Sequence, residues 1–76
     1  MNKTRREALQ KVYDLIADAR DTLEMLRDEE DEYRENMPEN LQESIRYEAA
    51  SEAVDNMDSA ISSIEDALDY IEEAQA

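Results

Sequence analysis

Met37-Pro38-Glu39-Asn40 is the stretch that decides the fold. It holds the only proline in a 76-residue chain that has no glycine. Proline drives the residue before it out of helical geometry, yet suits the first turn of a new helix. Nothing else in the chain interrupts a helix. The sequence therefore divides into two long segments about this point.

Upstream, apolar residues recur at alternating spacings of three and four. They are Leu9, Val12, Ile16, Ala19, Leu23 and Leu26, and the phase runs on through Glu30 to Tyr33 and Met37. With Leu9 at heptad position a, these fill the a and d positions. Thr4-Arg5-Arg6-Glu7 has the form of a capping box, which places the helix start near residue 4. Lys3, Arg5 and Arg6 oppose the positive end of the helix dipole, so this end is expected to fray. Downstream the seam continues through Tyr47, Ala50, Val54, Met57, Ile61, Ile64, Leu68 and Ile71. Asn40-Leu41-Gln42-Glu43 has the form of a second capping box, and Ser44 is a competing start. The expected organisation is one domain over residues 1–76, with helix 1 at about 4–36, a turn at about 37–40 and helix 2 at about 41–74.

Two such helices joined by a short link form an antiparallel hairpin. One register matches the seams throughout. It pairs Leu9 with Ile71, Val12 with Leu68, Ile16 with Ile64, Ala19 with Ile61, Leu23 with Met57, Leu26 with Val54 and Tyr33 with Tyr47. In each pair the two residue numbers add to 80, which puts the midpoint at Asn40, inside the break. The fold class is all-α, a two-helix antiparallel coiled-coil hairpin.

The flanks of the seam differ. Arg20, Arg27 and Arg34 occupy e positions of helix 1, opposite Asp58, Glu65 and Glu72 at e of helix 2. This edge reads as an ion-pair ladder. Exposed pairs contribute only ~0–1 kcal/mol each, so the ladder specifies the register more than it stabilises it. On the other edge, helix 2 has Ala53, Ala60, Ala67 and Ala74 at g and Ala49, Asn56, Ser63 and Tyr70 at c. No charge lies on this face, although 39% of the chain is charged. Helix 1 adds Ala8, Leu15 and Thr22 on the same side, with Met25 beside them. Alanine is the best helix former, which accounts for the g row, but not for the uncharged c row. A second interface is expected here, formed by Leu15 and these eight residues of helix 2. Its simplest form is a homodimer closing a four-helix bundle. That also addresses the small core, because a domain of this size rarely supplies more than ~3–5 kcal/mol without a staple.

Composition excludes several function classes. With no Cys or His, there is no disulfide, no ordinary zinc site and no Glu-x-x-His di-iron motif. No nucleophile elbow or glycine-rich phosphate loop is present, so neither catalysis nor a cofactor is expected. Asp28-Glu29-Glu30-Asp31-Glu32 lacks the spacing and glycine of an EF-hand loop and reads as a solvated acidic end. Glu30 falls on an a position opposite Ala50, where it is expected to reach water or Arg34. With 22 acidic and 8 basic residues the net charge is −14. Direct binding to nucleic acid or an anionic membrane is therefore disfavoured, and a protein with a basic surface is the complementary partner. No secretory leader and no run of ~20 apolar residues is present, so a soluble, cytoplasmic setting is expected.

The acidic charge itself has a pattern. Glu48, Glu52, Asp55, Asp66, Asp69 and Glu73 lie on the outer face of helix 2, with Asp58, Glu65 and Glu72 beside them. Carboxylates one helical turn apart are ~6 Å apart, close to the phosphate spacing of a nucleic-acid strand. A rigid acidic rod can occupy a groove that normally receives nucleic acid. The bland alternative is that the charge only keeps a small helical protein in solution.

Met37-Pro38-Glu39-Asn40-Leu41-Gln42-Glu43-Ser44-Ile45-Arg46-Tyr47-Glu48, with Ala53-Val54-Asp55-Asn56-Met57-Asp58 and Asp69-Tyr70-Ile71-Glu72-Glu73-Ala74, resembles a group of short acidic helical-hairpin proteins. These come from bacteriophages, prophages and mobile elements of gut Firmicutes. The group has no assigned activity and supplies no site residues. The resemblance implies a phage setting inside a host cell. There, small acidic proteins often inhibit host machinery, including as anti-CRISPR or other anti-defence factors. An assembly helper is the alternative.

Overall fold

The computed structural model describes residues 1–41 and 44–76. Helix α1 spans Lys3–Glu35 and helix α2 spans Ile45–Gln75, with a short 3₁₀ turn at Glu39–Leu41 between them. The two helices pack side by side as an antiparallel hairpin, a rod of 59 × 14 × 13 Å. The chain is an all-α helical hairpin.

Local chemistry sets the helix ends. Asn2, not Thr4, caps α1, and its Oδ1 accepts the Arg5 N–H at 2.7 Å. Asn is among the strongest N-caps, so it captures the free amide two residues ahead of the capping-box form. At the far end the Asn36 N–H reaches Glu32 O at 2.9 Å and the Met37 N–H reaches Arg34 O at 3.2 Å. Pro38 then ends the helix. Its carbonyl accepts the Leu41 N–H at 2.8 Å, and Leu41 O accepts the Ser44 N–H at 3.0 Å. The connection is thus longer than the four residues expected from sequence. Helix α2 begins at Ile45 rather than near 41, because the 3₁₀ turn takes up Asn40 and Leu41. Ser44 Oγ is the cap, accepting the Tyr47 N–H at 3.2 Å. Gln42 and Glu43 of the expected second capping box lie outside the described residues.

Two cross-helix contacts report the register. Arg27 Nη1 donates to Asp58 Oδ1 at 2.9 Å, and Tyr13 Oη donates to Glu72 Oε1 at 2.9 Å. Both join e positions, and in both the residue numbers add to 85. The antiparallel helices therefore meet at their e rows with one constant offset.

Burial is uneven. Ala50, Val54, Ile61 and Leu68 are buried, and all four lie on α2. Among the described residues α1 buries none. Helix α2 presents its a and d rows to α1, with Ala53 and Ala67 of the g row half-buried beside them. Helix α1 does not present a and d. Its half-buried rows are a (Leu9, Ile16, Leu23, Glu30), e (Tyr13, Arg20, Arg27, Arg34) and, beside e, b (Ala17, Glu24, Asp31). Its d row is exposed, with Val12 at 44%, Leu26 at 47% and Tyr33 at 49%. This corrects the symmetric seam expected from sequence. Small alanines on α2 offer little bulk for the d row of α1 to pack on. The long stems of Arg20, Arg27 and Arg34 instead lie along α2, leaving 21–29% of each side chain exposed.

With so few buried groups, each carries a large share of stability. Leu68→Ala is expected to cost at least ~2 kcal/mol, within reach of the whole stability of a small hairpin. Urea denaturation followed by helical circular dichroism at fixed protein concentration measures it.

Candidate functional site

Three surfaces run along the rod, and the heptad position of each row sets which side it occupies. The first is the e edge. Of the expected ladder, Arg27–Asp58 is the one ion pair that crosses between the helices among the described residues. Arg20 turns to Asp21 on its own helix, at 3.2 Å, and feels Glu65 only through space. Arg34 faces Ser51 in this register, so it has no carboxylate opposite. It pairs with Asp31 and Glu35 instead. Glu30, half-buried opposite Ala50, makes no ion pair among the described residues. The rung opposite Glu72 is Tyr13, which the charge pattern did not flag because tyrosine carries no charge.

These contacts move proton affinities. The hydrogen bonds to Asp58 and then Asp28 raise the Arg27 pKa, and the bond to Asp21 raises that of Arg20. The bond to Glu72 raises the Tyr13 pKa above the ordinary 10.0, with further help from desolvation and the nearby negative charge.

The second surface is the acidic strip of α2. Glu48, Glu52, Asp55, Asp58, Glu65, Asp66, Asp69, Glu72 and Glu73 are all exposed. Asp58 holds Arg27 and Glu72 holds Tyr13. The other seven carboxylates have no ion pair among the described residues. The strip is not continuous. Ser59 and Ser62 interrupt its outermost rows, so a cluster from Glu48 to Asp58 is followed by one from Glu65 to Glu73. Asp66, Asp69 and Glu73 border a shallow depression of about 230 Å³ beside Tyr70. Among the described residues no group of three or more carboxylates is arranged to hold a metal ion.

The third surface is the uncharged g edge. Ala49, Asn56, Ala60, Ser63, Tyr70, Ala74 and Leu15 are exposed there. Ala53 and Ala67 are half-buried within the hairpin, so only part of their surface is available. Rotation of α1 adds Val12, Ala19, Leu26 and Tyr33 to this edge, residues expected in the seam. At the turn, Tyr33, Met37, Pro38, Leu41, Ile45 and Arg46 line an open, mainly apolar cavity of about 650 Å³, with Ile45 84% exposed. Its one sequence signal was Ile45, an apolar residue at an outward heptad position. No helix is long and apolar enough to cross a membrane among the described residues.

No protein-family model matches the chain, and neither does any curated protein or solved structure at a significant level.

The Tyr13–Glu72 bond has a testable pH dependence. A folded-state pKa above the unfolded value means that the bond stabilises the hairpin below pH ~10 and is lost as pH rises through the pKa of Tyr13 in the fold. Tyr13→Phe is expected to lower the melting temperature at neutral pH. The difference from the unchanged chain should close above the folded-state pKa, as read by thermal melts across the alkaline range.

Proposed function

We propose that the chain is a non-enzymatic interaction module whose acidic α2 face covers a basic, nucleic-acid-binding surface of another protein. The observation that carries this reading is the set of seven exposed carboxylates without ion pairs on one long helix. Like charges held on one helix face are mutually unfavourable, and an oppositely charged surface relieves that cost. The helix is already formed, so little ordering entropy is lost when it binds. Spacing of ~6 Å between carboxylates one turn apart suits side chains that otherwise contact successive phosphates. The break at Ser59 and Ser62 favours a partner with two basic patches rather than a uniform stripe. The likeness to short acidic phage proteins favours the specific version: an inhibitor of host nucleic-acid machinery, of anti-CRISPR or other anti-defence type, acting in the host cytoplasm.

The second reading is an assembly role, in which the hairpin is one part of a larger helical bundle. The exposed apolar edge of α1 and α2 favours it. Salt separates the two, because screening weakens charge mimicry and leaves apolar packing intact.

The test is capture of a partner on the immobilised chain, followed by competition with duplex DNA. The acidic reading predicts that DNA and the chain exclude each other from the captured protein. It also predicts that Glu65→Gln, Asp66→Asn, Asp69→Asn and Glu73→Gln together weaken capture about 10-fold or more. Capture that survives both these substitutions and molar salt contradicts it.

A further inference from the structure

The exposed residues of α1 form a second heptad seam. Ala8, Val12, Leu15, Ala19, Thr22, Leu26, Glu29 and Tyr33 follow one another at alternating steps of four and three, and every one is exposed. Glu29 is the only charged member. These are the g and d rows, turned away from α2 by the rotation of α1. A row of this kind on a helix that buries nothing of its own is a packing surface without its partner.

We propose that a second copy of this chain occupies it, with α1 packed antiparallel on α1 of the copy. Three observations select a copy over an unrelated protein. The first is self-complementarity. In the antiparallel register that uses the whole seam, paired numbers add to 41. Leu15 meets Leu26 of the copy, Ala8 meets Tyr33 and Ala19 meets Thr22. Val12 meets Glu29, the one charged member, which lies beside Lys11 of the chain that carries Val12, and the centre of the seam is small on both sides.

The second observation is charge. The row flanking this seam on the side away from α2 is Thr4, Lys11, Asp18, Met25 and Glu32. In the same register Lys11 falls opposite Glu32 of the copy, twice by symmetry, and also beside its Glu29. Like charges do not face each other in this row. A basic partner has no reason to prefer this edge, since its attraction is to the opposite side of α2.

The third observation is area and continuity. From Ala8 to Tyr33 the seam is ~38 Å long at 1.5 Å per residue. With the 14 Å width of the rod this offers roughly 500 Å² per copy, about 1,000 Å² in all, the lower bound of a specific interface. Both α2 helices then fall on the same side of the α1 pair. That brings the Ala49, Ala60, Ser63 and Ala74 edge of each against the other. The result is a four-helix bundle in which α1, rather than the alanine face, supplies the large apolar contacts. This dimer leaves the acidic strip exposed and does not depend on the role proposed for it.

Sedimentation at several protein and salt concentrations tests the inference, with circular dichroism confirming that each variant stays helical. The unchanged chain is expected at twice its 8.8 kDa mass at high micromolar concentration. The dimer should strengthen as salt screens the repulsion between two acidic rods. Leu15 is 70% exposed in the hairpin, so Leu15→Lys leaves the monomer folded. It should weaken the dimer about 100-fold or more, by burying a charge in two inner layers of the seam. Lys11→Glu should weaken it several-fold, and adding Glu32→Lys should restore it. A mass of 8.8 kDa under all conditions overturns the inference, as does an unchanged dimer in Leu15→Lys. Failure of Glu32→Lys to restore Lys11→Glu overturns the register.

Discussion

Everything in this molecule depends on how α1 sits against the alanine-flanked seam of α2. Helix α2 supplies a narrow apolar ridge, with Ala50, Val54, Ile61 and Leu68 at its centre. Alanines at g leave one shoulder of that ridge low, and carboxylates at e make the other shoulder acidic. Helix α1 answers with arginine stems rather than with a full apolar stripe. The stems cover α2 and bring their terminal nitrogens to carboxylates at the surface, although the Nε of Arg34 is buried without a hydrogen-bond partner, so the pair closes without a thick core. Turning α1 this way commits the e edge to polar contacts. It also exposes the d row on the other edge.

The same packing arranges charge over the whole rod. Lys3, Arg5 and Arg6 lie at the N-terminus of α1, where they oppose its dipole, and Asp69, Glu72 and Glu73 lie at the C-terminus of α2, where they oppose that one. In an antiparallel hairpin these two ends are neighbours. Each cluster offsets the penalty of the other, and the two helix dipoles also run opposite ways. Among the described residues the exposed side of α2 gains only one ion pair, Arg27–Asp58. Its exposed carboxylates are the unspent electrostatic potential of the molecule, and they are what a basic partner would meet.

Much of this was legible in the sequence, for reasons that can be given residue by residue. One proline and no glycine left a single place for a turn, and the numbering of the two seams agreed with it. That the e rows of the two helices face each other followed from heptad position; that only Arg27 bridges them, to Asp58, did not. Helix ends were less legible, because Asn2 and Ser44 compete with nearby capping-box forms and local hydrogen bonds decide between them. The rotation of α1 was not legible. A heptad pattern marks which residues are apolar, and α1 is apolar at a and d and, through Ala8 and Leu15, in the first half of g. That only the a row of these faces α2, with e beside it, depends on bulk across the interface, at Ala53 and Ala67, and on the reach of arginine stems at e. The exposed second seam was present in the spacing from Ala8 to Tyr33, but it shares its d row with the first seam and was absorbed into it.

The central claim is that α1 turns its a and e rows to α2 and leaves d and g outside. Methyl signals in the presence of a soluble paramagnetic relaxation agent test it most directly. In dilute solution the account predicts strong broadening at Val12, Leu15 and Leu26 and protection at Leu9, Ile16 and Leu23. As concentration rises, Val12, Leu15 and Leu26 should become protected as well. Equal protection of Val12, Leu26, Ile16 and Leu23 in dilute solution would contradict it, because α1 would then be packed through a and d.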